Sequence, residues 1–317
     1  MKKLNWKNPA MLLLAAFIWG SAFVAQSVGM DYMEPFTFSC VRSFIGSIVL
    51  LPCIFLLDRL KSPEERERAA QMDKKTLLVG GVCCGLVLCA ASNLQQIGIQ
   101  YTSAGKAGFI TALYIVIVPV LGIFLGRRCG INVWIGILIA LVGFYLLCMT
   151  GGFALEQGDF YLLCCSLLFS CHILVIDHFS PLVDGVRMSC IQFFVVGIGS
   201  GIGMLLFETP RIEGILAGLG SLLYAGVLSS GVAYTLQILG QKNYNPTVAT
   251  LLMSLESVFS VLTGWVVLHE ELNVREMAGC VLIFIAVILA QLPGKREEEK
   301  AKPSVKASIE KTKPLNS

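Results

Sequence analysis

Charge is scarce in this chain. Only 14% of its 317 residues are Asp, Glu, Lys or Arg, while 56% are hydrophobic and mean hydropathy is +0.75. A soluble domain carries roughly 25% charged residues, so the composition excludes a soluble globular fold and leaves an integral membrane protein. Other shortages narrow the chemistry. There are three histidines, and the twelve cysteines include no C-x-x-C pair and no Cys/His ligand spacing. Most of those cysteines lie in apolar runs, where a free thiol behaves as a small hydrophobe. Neither a disulfide framework nor a metal site is expected. No G-x-x-x-x-G-K-[ST] phosphate loop occurs, which excludes an ATPase of that kind. The stretch "HEELN" at 269–273 begins like a zinc-protease helix but has no second histidine at i+4. No G-x-S-x-G elbow is present to supply a serine for His172 to activate. The chain reads as a non-enzyme without cofactor, metal or nucleic-acid partner.

Apolar runs supply the architecture. A membrane helix needs about 20 mostly apolar residues, and ten segments qualify: 9–28, 36–57, 77–98, 104–125, 133–150, 159–177, 189–207, 214–240, 246–268 and 274–292. The first has the basic start and small residues of a signal peptide. Its apolar run continues past Ala22 and holds Trp19, so it is read as an uncleaved helix. The longest polar stretches are 58–75 and the tail 294–317, whose mixed charge predicts a disordered cytoplasmic segment. With the N-terminus inside, inner segments hold 20 of the 24 Lys and Arg and outer segments hold 3, Arg42 lying within the second span. That bias predicts a cell (cytoplasmic) membrane protein with both termini in the cytoplasm.

The chain repeats itself. The stretch from Tyr101 ("YTSAGKAGFITALYIVIVPVLG") aligns without gaps to the stretch from Tyr244 ("YNPTVATLLMSLESVFSVLTGW") at an offset of 143. Earlier, Trp19 aligns with Phe169 at an offset of 150, the difference being absorbed by the 58–75 loop. Two repeats follow, 1–150 and 151–293. Five spans in each force the second to enter the membrane from the opposite side. The predicted fold is all-α: ten transmembrane helices as two inverted five-helix repeats, the geometry of many secondary transporters with midplane substrate sites.

Polar residues inside the spans are the candidates for a site. Asn93, Gln96 and Gln100 fall at i, i+3, i+7 in the third span, and Ser230, Tyr234, Gln237 and Gln241 share a face of the eighth. Both stripes suit a cavity wall, and both could instead bond helix to helix. Glu256 stands in "LLMSLESVFSVLTGW" (251–265) among Thr250, Ser254, Ser257, Ser260 and Thr263. A midplane carboxylate costs at least about 2.5 kcal/mol on insertion scales. It is therefore a proton carrier, a counter-charge for a substrate amine, or an acceptor for neighbouring hydroxyls. Arg42 either pairs with a substrate carboxylate or snorkels, and Lys106 in the fourth span is likewise a coupling or charge partner or a snorkelling residue. His172 is a proton relay or a helix contact, and Trp19 and Tyr114 cap a cavity or pack. "GIGSGIG" (197–203) supplies small residues for close helix approach.

"WGSAF" (19–23), "FSCVRSF" (38–44), the fourth span with its Pro119, and "LLMSLESVFSVLTGWVVLHEEL" (251–272) resemble the drug/metabolite transporter superfamily, EamA-type, over about 9–292. The resemblance implies a central cavity and export or uptake of small metabolites such as amino acids without ATP. It carries the family's ninth-helix Glu to Glu256, its first-helix Trp to Trp19 and its second-helix Arg to Arg42. Ser257 replaces a frequent Pro, which predicts a straighter ninth helix. The expected partners are a small-molecule substrate and the bilayer, with a homodimer left open. An uncoupled facilitator or channel and a membrane enzyme are the rival readings.

Overall fold

The computed structural model describes residues 6–60, 73–101, 104–126, 130–148, 157–267 and 274–291. Among them the secondary structure is helical, without strands. The first half comprises α1 (Lys7–Gly29), α2 (Pro35–Leu60), α3 (Lys74–Gln100), α4 (Ala104–Thr111), α5 (Tyr114–Phe124) and α6 (Ile131–Cys148). The second comprises α7 (Gln157–Phe179), α8 (Gly185–Phe207), the short α9 (Ile212–Ala217) and α10 (Leu219–Leu223), a π-helical segment (Tyr224–Ala233), α11 (Tyr234–Gln241), α12 (Pro246–Met253), α13 (Glu256–Val267) and α14 (Val274–Gln291). Seven spans are long and apolar enough to cross a membrane, and shorter apolar helices accompany them. Most of the 58–75 stretch and the tail from Gly294 lie outside the described residues.

The helix bounds repeat. α1 and α7 start and end 150 residues apart, and α6 and α14 start and end 143 apart. Starts are set by the same chemistry. Asp73, Asp184 and Asn245 each place a side-chain oxygen on the first free N–H groups of α3, α8 and α12, satisfying donors that the helix cannot pair internally.

Packing follows the repeat as well. α2 lies against α8 and α6 against α14, each helix against its own repeat mate. α1 packs on α13, α11 and the π segment, which also meets α2. α7 packs on α3, α4 and α5, and α3 meets α8. The result is two bundles: α1, α2, the eighth span and α12–α13 in the first; α7, α8, α3 and α4–α5 in the second. The α2–α8 seam is held at both ends by equivalent acids. Glu208, at the end of α8, accepts from the Phe36 and Thr37 N–H groups, both at 2.7 Å, at the start of α2. Asp58, its mate near the end of α2, pairs with Arg187 at the start of α8 at 2.6 Å.

The ninth span is not straighter for want of proline; it is broken between Met253 and Glu256. Hydroxyls supply the break. Ser254 Oγ donates to the Leu251 carbonyl at 2.8 Å and Thr250 Oγ1 to that of Thr247 at 2.7 Å, a back-bonding that bends helices. The backbone tightens to i→i−3 bonds, Leu255 N–H to Leu252 O (3.3 Å) and Ser257 N–H to Ser254 O (3.2 Å). The fourth span breaks at the equivalent place, between Thr111 and Tyr114.

α1 crosses α13 at Gly20, where a Cβ would lie 2.6 Å from the Glu256 carbonyl and 2.8 Å from the Ser260 nitrogen. Backbone cannot yield as a side chain does, so Gly20→Ala is expected to destabilise by about 1–3 kcal/mol. The melting temperature in detergent checks this, and a variant melting with the wild type would refute the close crossing.

Candidate functional site: a cavity between the bundles

Both broken helices end in the middle of the molecule, and the residues that restart them meet there. Tyr114 is the first residue of α5 and Glu256 the first of α13. The Tyr114 hydroxyl donates to Glu256 Oε1 at 2.9 Å. A helix N-terminus offers unpaired N–H groups and the positive end of the dipole, which favours a carboxylate. Glu256 is 6% exposed and stands at such a helix start.

A cavity surrounds this contact; its open space, counting solvent at the mouth, amounts to about 510 Å³. The first bundle contributes Trp19, Gln26, Arg42, Tyr234, Gln237 and Glu256, and the second contributes Gln95, Thr111, Tyr114, Phe169 and Ile173. Both charged residues of the wall thus belong to one bundle.

Arg42 is also 6% exposed. It donates to Gln26 Oε1 at 2.7 Å and lies 5.6 Å from the Phe38 ring centroid. A guanidinium carries several further N–H donors in a planar fork, which suits it to a carboxylate or phosphate. No ion pair joins Arg42 to Glu256 among the described residues. Trp19 and Tyr234 pack edge to face at 4.7 Å, and Phe193 backs Tyr234 at 5.1 Å. Trp19 Nε1, Thr111 Oγ1 and Gln237 Oε1 are buried without hydrogen-bond partners among the described residues. The wall thus offers a cation, an anion, aromatic faces and unspent neutral donors and acceptors.

Of the residues singled out from sequence, Trp19, Arg42, Tyr114, Tyr234, Gln237 and Glu256 stand together in this wall. The others do not. Asn93 donates to Ser200 Oγ and to the Cys89 carbonyl, both at 2.8 Å, and so ties α3 to α8. Gln96 reaches the Gln26 carbonyl at 3.5 Å, and Gln100 is exposed. Gln95, off that stripe, takes the cavity position. His172 lies behind the wall, 3.2 Å from Gln192 Oε1, with its ring 6.0 Å from that of Tyr234. Lys106 is on α4, and its side chain lies outside the described residues. In the eighth span, the π segment replaces i→i+4 turns by wider ones. Ser230 there packs on Gly46 of α2 while Ser229 joins the wall. Gln26 was missed although Trp19, Phe23 and Gln26 follow i, i+4, i+7, a spacing that could have found it.

This arrangement has known counterparts. The model of the EamA-like transporter family matches residues 7–149 and again 156–292. The chain belongs to the EamA-like transporter family. An uncharacterized transporter from Archaeoglobus fulgidus is 32% identical over 287 residues, covering 89% of this chain and 84% of that protein. The uncharacterized inner membrane transporter YedA of Escherichia coli K12 is 25% identical over 284 residues, covering 87% of each. A solved crystal structure superposes with a TM-score of 0.75 at 18% identity, covering 92% of this chain and 98% of that one; that likeness concerns the fold. This EamA-like protein is therefore a multi-pass membrane transporter with the two-repeat drug/metabolite transporter fold.

The geometry separates two residue roles. Asn93→Ala removes helix-to-helix bonds that contribute about 0.6 kcal/mol each, so it is expected to lower the melting temperature and leave transport per folded protein unchanged. Tyr114→Phe takes the hydrogen bond from buried Glu256 and is expected to lower flux per folded protein as well as the melting temperature. Flux in proteoliposomes alongside thermal melting checks both; equal effects of the two variants on flux would contradict the assignment.

Proposed function

We propose that the protein is a secondary transporter of the cytoplasmic membrane that exports small zwitterionic metabolites, amino acids and related amphipathic compounds, by alternating access. The observation that carries this reading is the presence of Arg42 and Glu256 on one cavity wall with no ion pair between them. A buried charge is costly unless a counter-charge and hydrogen bonds compensate it. A ligand carrying both an ammonium and a carboxylate supplies both counter-charges at once. The Trp19–Tyr234 edge favours an apolar or aromatic remainder. The family resemblance admits export or uptake, and export is the direction proposed.

The Lys and Arg bias supports a cytoplasmic position for both termini. Glu256 also suits proton coupling: with no substrate ammonium present, a proton is the simplest cation to occupy the carboxylate. A proton crossing the membrane draws about 2.3 kcal/mol per 100 mV, enough for useful concentration of a metabolite.

The test is a thermal-shift screen of the purified protein against amino acids, amines, organic acids and nucleosides, followed by counterflow in proteoliposomes. Zwitterions are expected to stabilise the wild type and to lose at least about tenfold in affinity with Glu256→Gln, the loss of one charge-assisted contact. Saturable counterflow is expected; conductance that does not saturate would make the protein a channel, and altered substrate would make it an enzyme. Flux that neither a protonophore nor Glu256→Gln changes would remove the proton from the mechanism.

A further inference from the structure

Two hydroxyl pairs occupy equivalent positions in the repeats and are in different states. Ser189 on α8 and Thr235 on α11 are buried, with Thr235 Oγ1 3.0 Å from Ser189 Oγ and 2.6 Å from the Gly231 carbonyl. Moved by the repeat offsets of 150 and 143, they become Ser39 on α2 and Ser92 on α3. These too are buried hydroxyls, but they do not bond to each other. Ser39 Oγ has no hydrogen-bond partner among the described residues, and Ser92 Oγ turns back to the Cys89 carbonyl of its own helix at 3.4 Å.

One turn further along, the same contrast recurs. Arg42 and Gln95, at i+3 from Ser39 and Ser92, line the cavity. Their repeat mates Gln192 and Ile238 are fully buried outside it. At that closed seam a Cβ on Gly185 would lie 2.9 Å from Ile238 Cγ2, so α8 and α11 are in close contact. The α8–α11 seam is thus joined by a hydroxyl pair, while at its α2–α3 counterpart the two buried hydroxyls are not bonded to each other.

We propose that Ser189–Thr235 and Ser39–Ser92 are reciprocal clasps, one at each end of the transport path, an inference that rests on the alternating-access reading. In the described conformation the first pair is bonded and the second is not. When the two repeats exchange conformations, Ser39 bonds Ser92 and Ser189 parts from Thr235. A buried hydroxyl without a partner is unfavourable, so each pair favours closing its own end. Because each conformation shuts one pair and opens the other, the two states stay close in energy, as a cycling carrier requires.

The test reads reciprocity. Ser39→Cys/Ser92→Cys and Ser189→Cys/Thr235→Cys double variants are oxidised in membranes, and each cross-link is assigned by fragment ions of its linked peptide, which separate it from links through the native Cys40, Cys83, Cys84, Cys89 and Cys190. Amide exchange is then followed at the opposite end. The 39–92 link is expected to speed exchange in segments 186–192 and 233–238 by about fivefold, the worth of one net hydrogen bond. The 189–235 link is expected to speed it in 36–43 and 88–95 by a similar factor. A 39–92 link that does not form, or either link that leaves the opposite end unchanged, overturns the proposal. Ser189→Ala needs no cross-link and is expected to speed exchange in 186–192 and 233–238 while slowing it in 36–43 and 88–95; no change in those segments overturns the clasps equally. No substrate enters these measurements, so their failure and the failure of the transport assay are distinguishable.

Discussion

A membrane interior tolerates interrupted backbone only where it is buried in protein or lines a cavity, and much of this molecule is arranged around that constraint. Two spans are interrupted, at Ala112–Leu113 and at Ser254–Leu255. The residues that restart them, Tyr114 and Glu256, are joined by one hydrogen bond. At each break the backbone tightens to i→i−3 bonds, and the carboxylate sits at one of those helix starts. The bond also crosses from one bundle to the other. In the proposed cycle the seam between the bundles opens, and the charge of the proposed ligand competes with this bond.

The α2–α8 pair has a different character. It joins the two bundles through repeat-mate helices, and the acid at the end of each grips the start of the other: Glu208 on the N–H groups of Phe36 and Thr37, Asp58 on Arg187. Between those ends Gly197 and Gly203 lie under the rings of Phe44 and Phe36. A seam tied at both ends and closely packed in the middle suits a pivot. The freedom of the fold is then left to the broken helices and to the eighth span with its π segment.

Much of this was legible from residues alone. Span lengths, the two offsets and the odd number of spans per repeat describe the fold, and helix bounds that recur at 150 and 143 follow the same register. Glu256 stood out because a carboxylate in an apolar run needs a reason. The misses share one cause. Periodicity tells which residues share a helix face, but not which neighbour that face meets. Asn93 and Gln95 are two residues apart on one helix, yet one bonds α8 and the other lines the cavity. The break in the ninth span was hidden for another reason. Proline is the visible helix breaker, whereas Ser254 and Thr250 act through hydroxyl bonds to their own backbone, which many serines and threonines in helices do not make.

Arg42 and Glu256 ride on the same bundle. Opposite unit charges carried together contribute little net gating charge when that bundle tilts in the transmembrane field. A zwitterion, the ligand proposed above, would add no net charge either. In the proposed cycle the electrical work of reorientation is then small for both the empty and the loaded carrier, and membrane voltage would bias it chiefly through a proton carried on the carboxylate.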